Sequence, residues 1–402
     1  MDLSEIGKQA SGGITRLSFS PEERQAKQRV TAWMEEAGLA VREDEMGNLI
    51  GRRDGLDKDA PVVLVGSHID SVFNGGNFDG PLGVLSALEA VQSMKEDKVS
   101  TKNPIEVIAF TDEEGARFRF GMIGSRGLAG TLEKSHLEAK DANGISIAQA
   151  MTEAGFVPEN FMRAAREKGS VKSYVEVHIE QGKVLENADL SVGVVTGIAG
   201  PLWLKFTVKG ESGHAGTTPM GMRQDALVGA AHMIQAIEQE ARKGKQTVGT
   251  VGQLNLQPGG VNIIPGVVEF TLDLRDIDEG VRDAAEHRIR EVAKTICAER
   301  NLQLEIEVLQ RVAPALCDSG IQESIRQACA NLGLETLSMV SGAGHDGMQL
   351  GGLCPIGMIF VRSKDGISHN PAEWSSPEDC ANGARVLHGT LLSLAGAQTW
   401  FR

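Results

Sequence analysis

Residues 62–84 read VVLVGSHIDSVFNGGNFDGPLGV. An apolar run ends on His68-Ile69-Asp70, and a glycine-rich loop then carries a second aspartate, Asp79. A continuous apolar run bounded by turn residues is the pattern of a strand buried on both faces, as in a parallel sheet. Residues 81–97 (PLGVLSALEAVQSMKED) follow with helical spacing, and residues 105–115 (IEVIAFTDEEG) form a second apolar run that ends in acids. Strand, crossover helix and strand make a βαβ unit. In open parallel sheets the functional groups gather at the carboxyl ends of the strands. The polar clusters that end these two runs are therefore expected to meet.

Working outward, the opening 45 residues are expected to be helical. SPEERQAKQRVTAWMEEAGL starts on a Ser20-Pro21 cap and closes on Gly38. The character changes near residue 200. PLWLKFTVKG, QDALVGAAHMIQAIEQEARK, VGTVGQLNLQ, GVVEFTLDLRD, VRDAAEHRIREVAKTICAERN and LQLEIEVLQR read as strand, helix, strand, strand, helix, strand. This βαββαβ order is the ferredoxin-like split motif. After about Pro314 the α/β pattern returns, with LCPIGMIFV as a buried strand and a closing helix from Pro377. The expectation is a mostly parallel-sheet α/β domain, residues 1–200 and 315–402, with an inserted α+β ferredoxin-like domain at 201–314.

Composition narrows the function. The chain has 402 residues, enough for two domains, and a formal net charge of −14, which argues against nucleic acid as a partner. No apolar run approaches the length of a bilayer span, so no membrane partner is expected. The opening residues MDLSEIGKQASGG lack a basic-then-apolar signal pattern. Five cysteines, Cys297, Cys317, Cys329, Cys354 and Cys380, have no paired short spacing. They read as reduced thiols of a cytoplasmic protein.

Of nine histidines, five lie in tight polar motifs: GSHID, EVHIEQG, SGHAGTTP, GAGHDG and GISHNPAEW. His136, His232, His287 and His388 lie on patterned helical or loop segments, where a solvated histidine is the default. A metal-ligating histidine commonly donates its other ring N–H to a carboxylate, and Asp70 is placed to do this for His68. In the TDEEG turn, Glu113 and Glu114 have diverging side chains. One can bind metal while the other faces substrate as a general base.

These motifs resemble one family. GSHIDSV…GGNFDGPLGV, TDEEGARF, HIEQG, GHAGTTPM and GISHNPAEW, in this order, are similar to the two-metal amidohydrolases of the M20 peptidase clan. The resemblance is greatest to the branch of N-carbamoyl-L-amino acid hydrolases (L-carbamoylases) and allantoate amidohydrolases. HIEQG is the specific feature, since peptidases of the clan carry an acid where this branch has a histidine. AFTDEEGARFRFGMIGSR looks most like the L-carbamoylases.

The resemblance implies two divalent metal ions per subunit, Zn²⁺ or Mn²⁺/Co²⁺. Asp79 would bridge them, His68 and His178 would complete one site, and Glu114 and His369 the other. Glu113 matches the general base. Gln181, His214, Asn262, Arg275 and the backbone at Gly344 match substrate contacts. The implied reaction is hydrolysis of a ureido C–N bond in an N-carbamoyl-L-amino acid. Allantoate amidohydrolase and β-ureidopropionase are related alternatives, and a non-catalytic protein stabilised by its metals is a remote one. The family also implies a homodimer through residues 201–314. That domain would serve as dimerisation surface and lid, with His214 reaching the partner's active site.

Overall fold

A computed structural model describes residues 2–397, and the chain divides into two compact units. One runs up to Gly197 and resumes at Leu316; the other is Ile198–Ala315.

The first unit is built on a mixed sheet. From one edge the strands are Ala40–Glu43, Leu49–Arg53, Ile105–Phe110, Val62–His68, Val171–Ile179, Ile356–Val361 and Val192–Ile198, with the short Ala315–Leu316 and Thr336–Ser341 both pairing to Val192–Ile198. The four from Ile105–Phe110 to Ile356–Val361 are mutually parallel, and the flanking pairs are antiparallel. Val62–His68, Ile105–Phe110 and Ile356–Val361 are buried at every position, which is why they read as mostly apolar runs. The helix Pro81–Glu96 crosses over between Val62–His68 and its parallel neighbour Ile105–Phe110. Its apolar residues join those of Pro21–Glu36, Ser319–Asn331 and Pro377–Leu394 in one core against the sheet. Each fully buried Val or Leu there contributes about 1.5–3 kcal/mol relative to exposure.

The α/β class is as expected, but the first 45 residues are not uniformly helical. The helix spans Pro21–Glu36, capped by Ser20, and Gly38 ends it in the left-handed region at φ +82°. Ala40–Glu43 is instead an antiparallel edge strand paired to Leu49–Arg53. Its polar sequence conceals a strand whose side chains are only half covered, with burial alternating between exposed and intermediate.

The second unit is a five-stranded antiparallel sheet. Leu254–Gln257, Val267–Asp276, Gly200–Lys209 and Gln303–Arg311 lie in that order, and Val248–Thr250 also pairs with Val267–Asp276. VGTVGQLNLQ is therefore two short strands rather than one, broken around Gly252, whose missing side chain leaves nothing to pack on the pleat. Alternate residues of the two central strands are buried against Ala226–Ala241 and Glu279–Glu299. Arg282 is fully buried, and its Nη1 donates to the carbonyls of Gly200 (3.0 Å) and Val312 (2.5 Å), tying the unit's first strand to the end of its last. Gln303–Arg311 is a largely exposed edge with Val308 and Leu309 open to solvent. Among the described residues, no helix is long and apolar enough to cross a membrane.

Candidate metal centre and active site

The parallel strands deliver the polar motifs to one end of the sheet. His68 is the last residue of its strand and is paired in register with Phe110, so residues 111–114 begin where His68 stands. His178 pairs with Phe360 on the next parallel neighbours. Asp79 returns through the glycine loop. At Gly80 the backbone has φ +81°, and an added Cβ would fall 2.4 Å from the His68 ring. Only glycine meets both demands, which explains the glycine that follows Asp79.

Asp79 is the point where the motifs converge. Its Oδ1 lies 3.2 Å from His178 Nε2 and 3.6 Å from His68 Nε2, and its Oδ2 lies 3.3 Å from His369 Nε2. His369 Nε2 is also 3.4 Å from Glu114 Oε2. Two groups could each hold a metal ion, His68–Asp79–His178 and Asp79–Glu114–His369, their donor atoms within 4.8 Å of one another. His68 Nε2 is buried without a hydrogen-bond partner, a donor atom awaiting a ligand. All of these donors are nitrogen or oxygen, a set that suits Zn²⁺, Mn²⁺ or Co²⁺. The residues present therefore fit two cations that share one carboxylate.

Asp70 does more than orient His68. The nearest acceptor to His68 Nδ1 is the Asp70 carbonyl at 3.2 Å, while the carboxylate lies at 3.5 Å. The carboxylate accepts from the backbone N–H groups of Glu113 and Glu114, both at 3.2 Å. Asp70 thus joins the His68 strand end to the acidic turn. Asp112, Gln181 and His369 all adopt left-handed φ, at 56°, 58° and 55°. Such strain in residues with side chains collects at functional sites. Glu113 is 8% exposed, with Oε2 3.9 Å from His68 Nε2.

The electrostatics follow from packing acids together out of water. Burial, reinforced by Asp346, Glu114 and Asp70, pushes the Glu113 carboxyl well above the ordinary range against the pull of His68. Burial and Asp79 push Glu114 up to about 7. Burial also acts upward on Asp79, yet His178, His369 and His68 together hold it well below the usual carboxylate range. Its hydrogen bond to Asp79 is the main reason that His369 is raised to about 9.

Of the residues expected to contact substrate, Gln181 donates to Asp79 Oδ2 (2.7 Å) and Ser368 (3.1 Å), so it is engaged at the carboxylate that both candidate ligand groups share. Gly344 is half-buried beside Met122, the position of whose methyl would clash with a Cβ at 344. The remaining three lie in the second unit. His214 and Ile263 are paired, and the Ala215 N–H donates to the Asn262 carbonyl, so His214 and Asn262 sit on adjoining segments. His214 Nδ1 accepts from the N–H groups of Gly216 and Thr217, which leaves the ring proton on Nε2. Arg275 is gripped in bidentate fashion by Asp273, at 2.9 and 2.8 Å.

Sequence reasoning passed over several neighbours. Ser368 donates to Asp79 Oδ2 at 2.8 Å. Behind His178 stand Glu176 and His345, both fully buried, with the His345 ring edge-on to His178 at 4.4 Å. These three could form a further ligand group. The GAGHDG motif was the only signal for His345.

The family model for Peptidase family M20/M25/M40 matches residues 64–393. The chain is 59% identical over 395 residues to an N-carbamoyl-L-amino acid amidohydrolase of Geobacillus stearothermophilus, covering 98% of this chain and 97% of that one. It is 39% identical over 419 residues to an allantoate deiminase of Arabidopsis thaliana, covering 96% and 80%. The crystal structure of an amidase of the hydantoinase/carbamoylase family from Burkholderia multivorans superposes with a TM-score of 0.93 at 36% identity, covering 98% and 96%. The chain belongs to the M20/M25/M40 peptidase family and is a hydrolase of it.

Proposed function

We propose that the protein hydrolyses the ureido C–N bond of N-carbamoyl-L-amino acids, giving the L-amino acid, CO₂ and ammonia. The observation that carries this reading is Asp79, whose two oxygens face separate ligand groups beside the buried acid Glu113. The 59% identity to an enzyme of that name supports the substrate class over allantoate, where the identity is 39%.

His68, His178 and Asp79 would hold one divalent ion, and Asp79, Glu114 and His369 the other. When bound, such a pair polarises the carbonyl under attack and lowers the pKa of water between the ions. Glu113 removes the proton of the attacking water and then delivers it to the departing nitrogen. Burial keeps its affinity for that proton high, and cations nearby draw it back toward the working pH. His214 presents Nε2–H to the developing oxyanion. Arg275 offers its planar fork to the α-carboxylate, sharing it with Asp273, and Asn262 flanks the same group.

The inserted unit would pair two chains through its exposed Gln303–Arg311 edge, since an open strand edge is a template for a second chain. His214 would then complete the site of the partner subunit. Heterodimers of Glu113→Gln and His214→Ala chains are expected to regain activity, because one of the two sites keeps both groups. Verified heterodimers as inactive as their parents would place His214 outside the partner's site.

Substrate class is tested by ammonia release from N-carbamoyl-L- and D-amino acids, allantoate and β-ureidopropionate, and by free amino acid release from a dipeptide. The L-carbamoyl compounds should show the highest kcat/KM, and Glu113→Gln should lower kcat on them by about 10²–10⁴-fold with its metals retained. A preference for allantoate would replace the substrate proposed here. Wild-type turnover in Glu113→Gln would remove the base.

Metal uptake should depend on pH with a defined sign. In the metal-free chain His369, raised to about 9, is protonated at neutral pH, and Glu114, raised to about 7, is partly so. A cation has to displace both protons, so binding releases protons and apparent affinity rises as pH climbs toward about 9. Co²⁺ titrations at several pH values with a proton-release indicator read this directly. Affinity that stays flat, with no protons released, would contradict it.

A further inference from the structure

GISHNPAEW, residues 366–374, contains an acid that no step above uses. Glu373 is 3% exposed, and its Oε1 accepts the backbone N–H of Phe78 at 2.8 Å and of Asp79 at 3.0 Å, a separation of 294 positions in the latter case. The Glu373 N–H in turn donates to the Asn370 carbonyl, closing the turn that begins just after His369. One carboxylate oxygen therefore fastens the loop of His369 to the backbone of Asp79, the residue both ligand groups share.

Two further observations show that the chain is shaped around this contact. A Cβ at Gly76 would lie 2.1 Å from both the Cδ and the Oε1 of Glu373, so the acid occupies the space a side chain there would need. Beside it the Phe78 and Trp374 rings meet edge-on at 5.5 Å, a second tie between the same loops. A cavity of about 730 Å³ adjoins Phe78, Glu373 and Trp374.

We propose that Glu373 is a positioning residue. It is neither a ligand nor a base; it buckles the two loops so that Asp79 and His369 present their donors to the cations together. The inference rests on the assignment of Asp79 and His369 as ligands. If Glu373 merely satisfied two N–H groups of a turn, its loss would lower stability and leave metal affinity unchanged.

The test is a Co²⁺ titration of the full-length metal-free chain, read by visible absorption and by competition with a chelator. Glu373→Gln keeps an accepting oxygen and should bind close to wild type. Glu373→Ala should bind about 10–100-fold more weakly, the usual cost of losing an outer partner of a ligand. Gly76→Ala, which pushes a methyl group into the acid, should weaken binding as well. The double variant should be no weaker than Glu373→Ala alone, because neighbours acting through one contact are not additive. Wild-type affinity and spectrum in either Glu373→Ala or Gly76→Ala would overturn the proposal, as would a Gln variant as weak as the Ala variant. If Glu373→Ala fails to fold, Gly76→Ala and Glu373→Gln decide the matter. A wild-type chain that takes up no Co²⁺ would instead refute the ligand assignment itself.

Discussion

One carboxylate organises this molecule. Asp79 is 7% exposed and turns one oxygen toward His68 and His178 and the other toward His369. Each histidine arrives from a different segment of the chain, so the strands must hold their register for the three to meet. The parallel alignment of Val62–His68, Ile105–Phe110, Val171–Ile179 and Ile356–Val361 does this by ending all four strands at the same level. The glycines of the returning loop let Asp79 reach that level against the His68 ring.

The same convergence creates an electrostatic problem. Asp70, Asp112, Glu113, Glu176 and Asp346 are all buried near the histidines. Burying acids beside one another drives protons onto them, and Asp112, Glu113, Glu176 and Asp346 are all raised. One carboxylate oxygen of Asp112 is buried without a hydrogen-bond partner. Such a cluster costs stability unless positive charge is supplied. Divalent cations held at Asp79 would supply it, so the crowding that burdens the metal-free chain is the feature that would favour metal uptake.

Much of this was legible in the sequence because strand ends and ligands coincide. A fully buried parallel strand has no polar face and reads as a mostly apolar run, so the polar clusters at its end, His68-Ile69-Asp70 and Thr111–Glu114, stand out. The βαββαβ order was equally readable, since the two central strands of that sheet alternate and its helices have long apolar stripes. The edge strand Ala40–Glu43 was not, because AVRE carries no local sign that its backbone pairs with Leu49–Arg53. Nor was the second role of Asp70, whose carboxylate accepts from backbone N–H groups 43 and 44 positions away. Hydrogen bonds from a side chain to a partner far along the chain leave no periodicity or spacing to read, and Glu373, on the backbone of Phe78 and Asp79, and Ser368, on the Asp79 carboxylate, escaped notice for that reason. The ion pair of Arg275 with Asp273, two positions back on the same strand, is a further contact that residue type alone does not announce.

The central claim is that Asp79 is shared by two cations, and metal stoichiometry tests it most directly. Chains purified after Co²⁺ loading and desalting should carry two ions in the wild type. Removing His178 should cost the ion it shares with His68, and removing His369 the ion it shares with Glu114. Asp79→Ala should lose both at once while the chain remains folded by circular dichroism. An Asp79→Ala chain that still retained one tightly held ion would show that the two sites are separate, and would contradict the account.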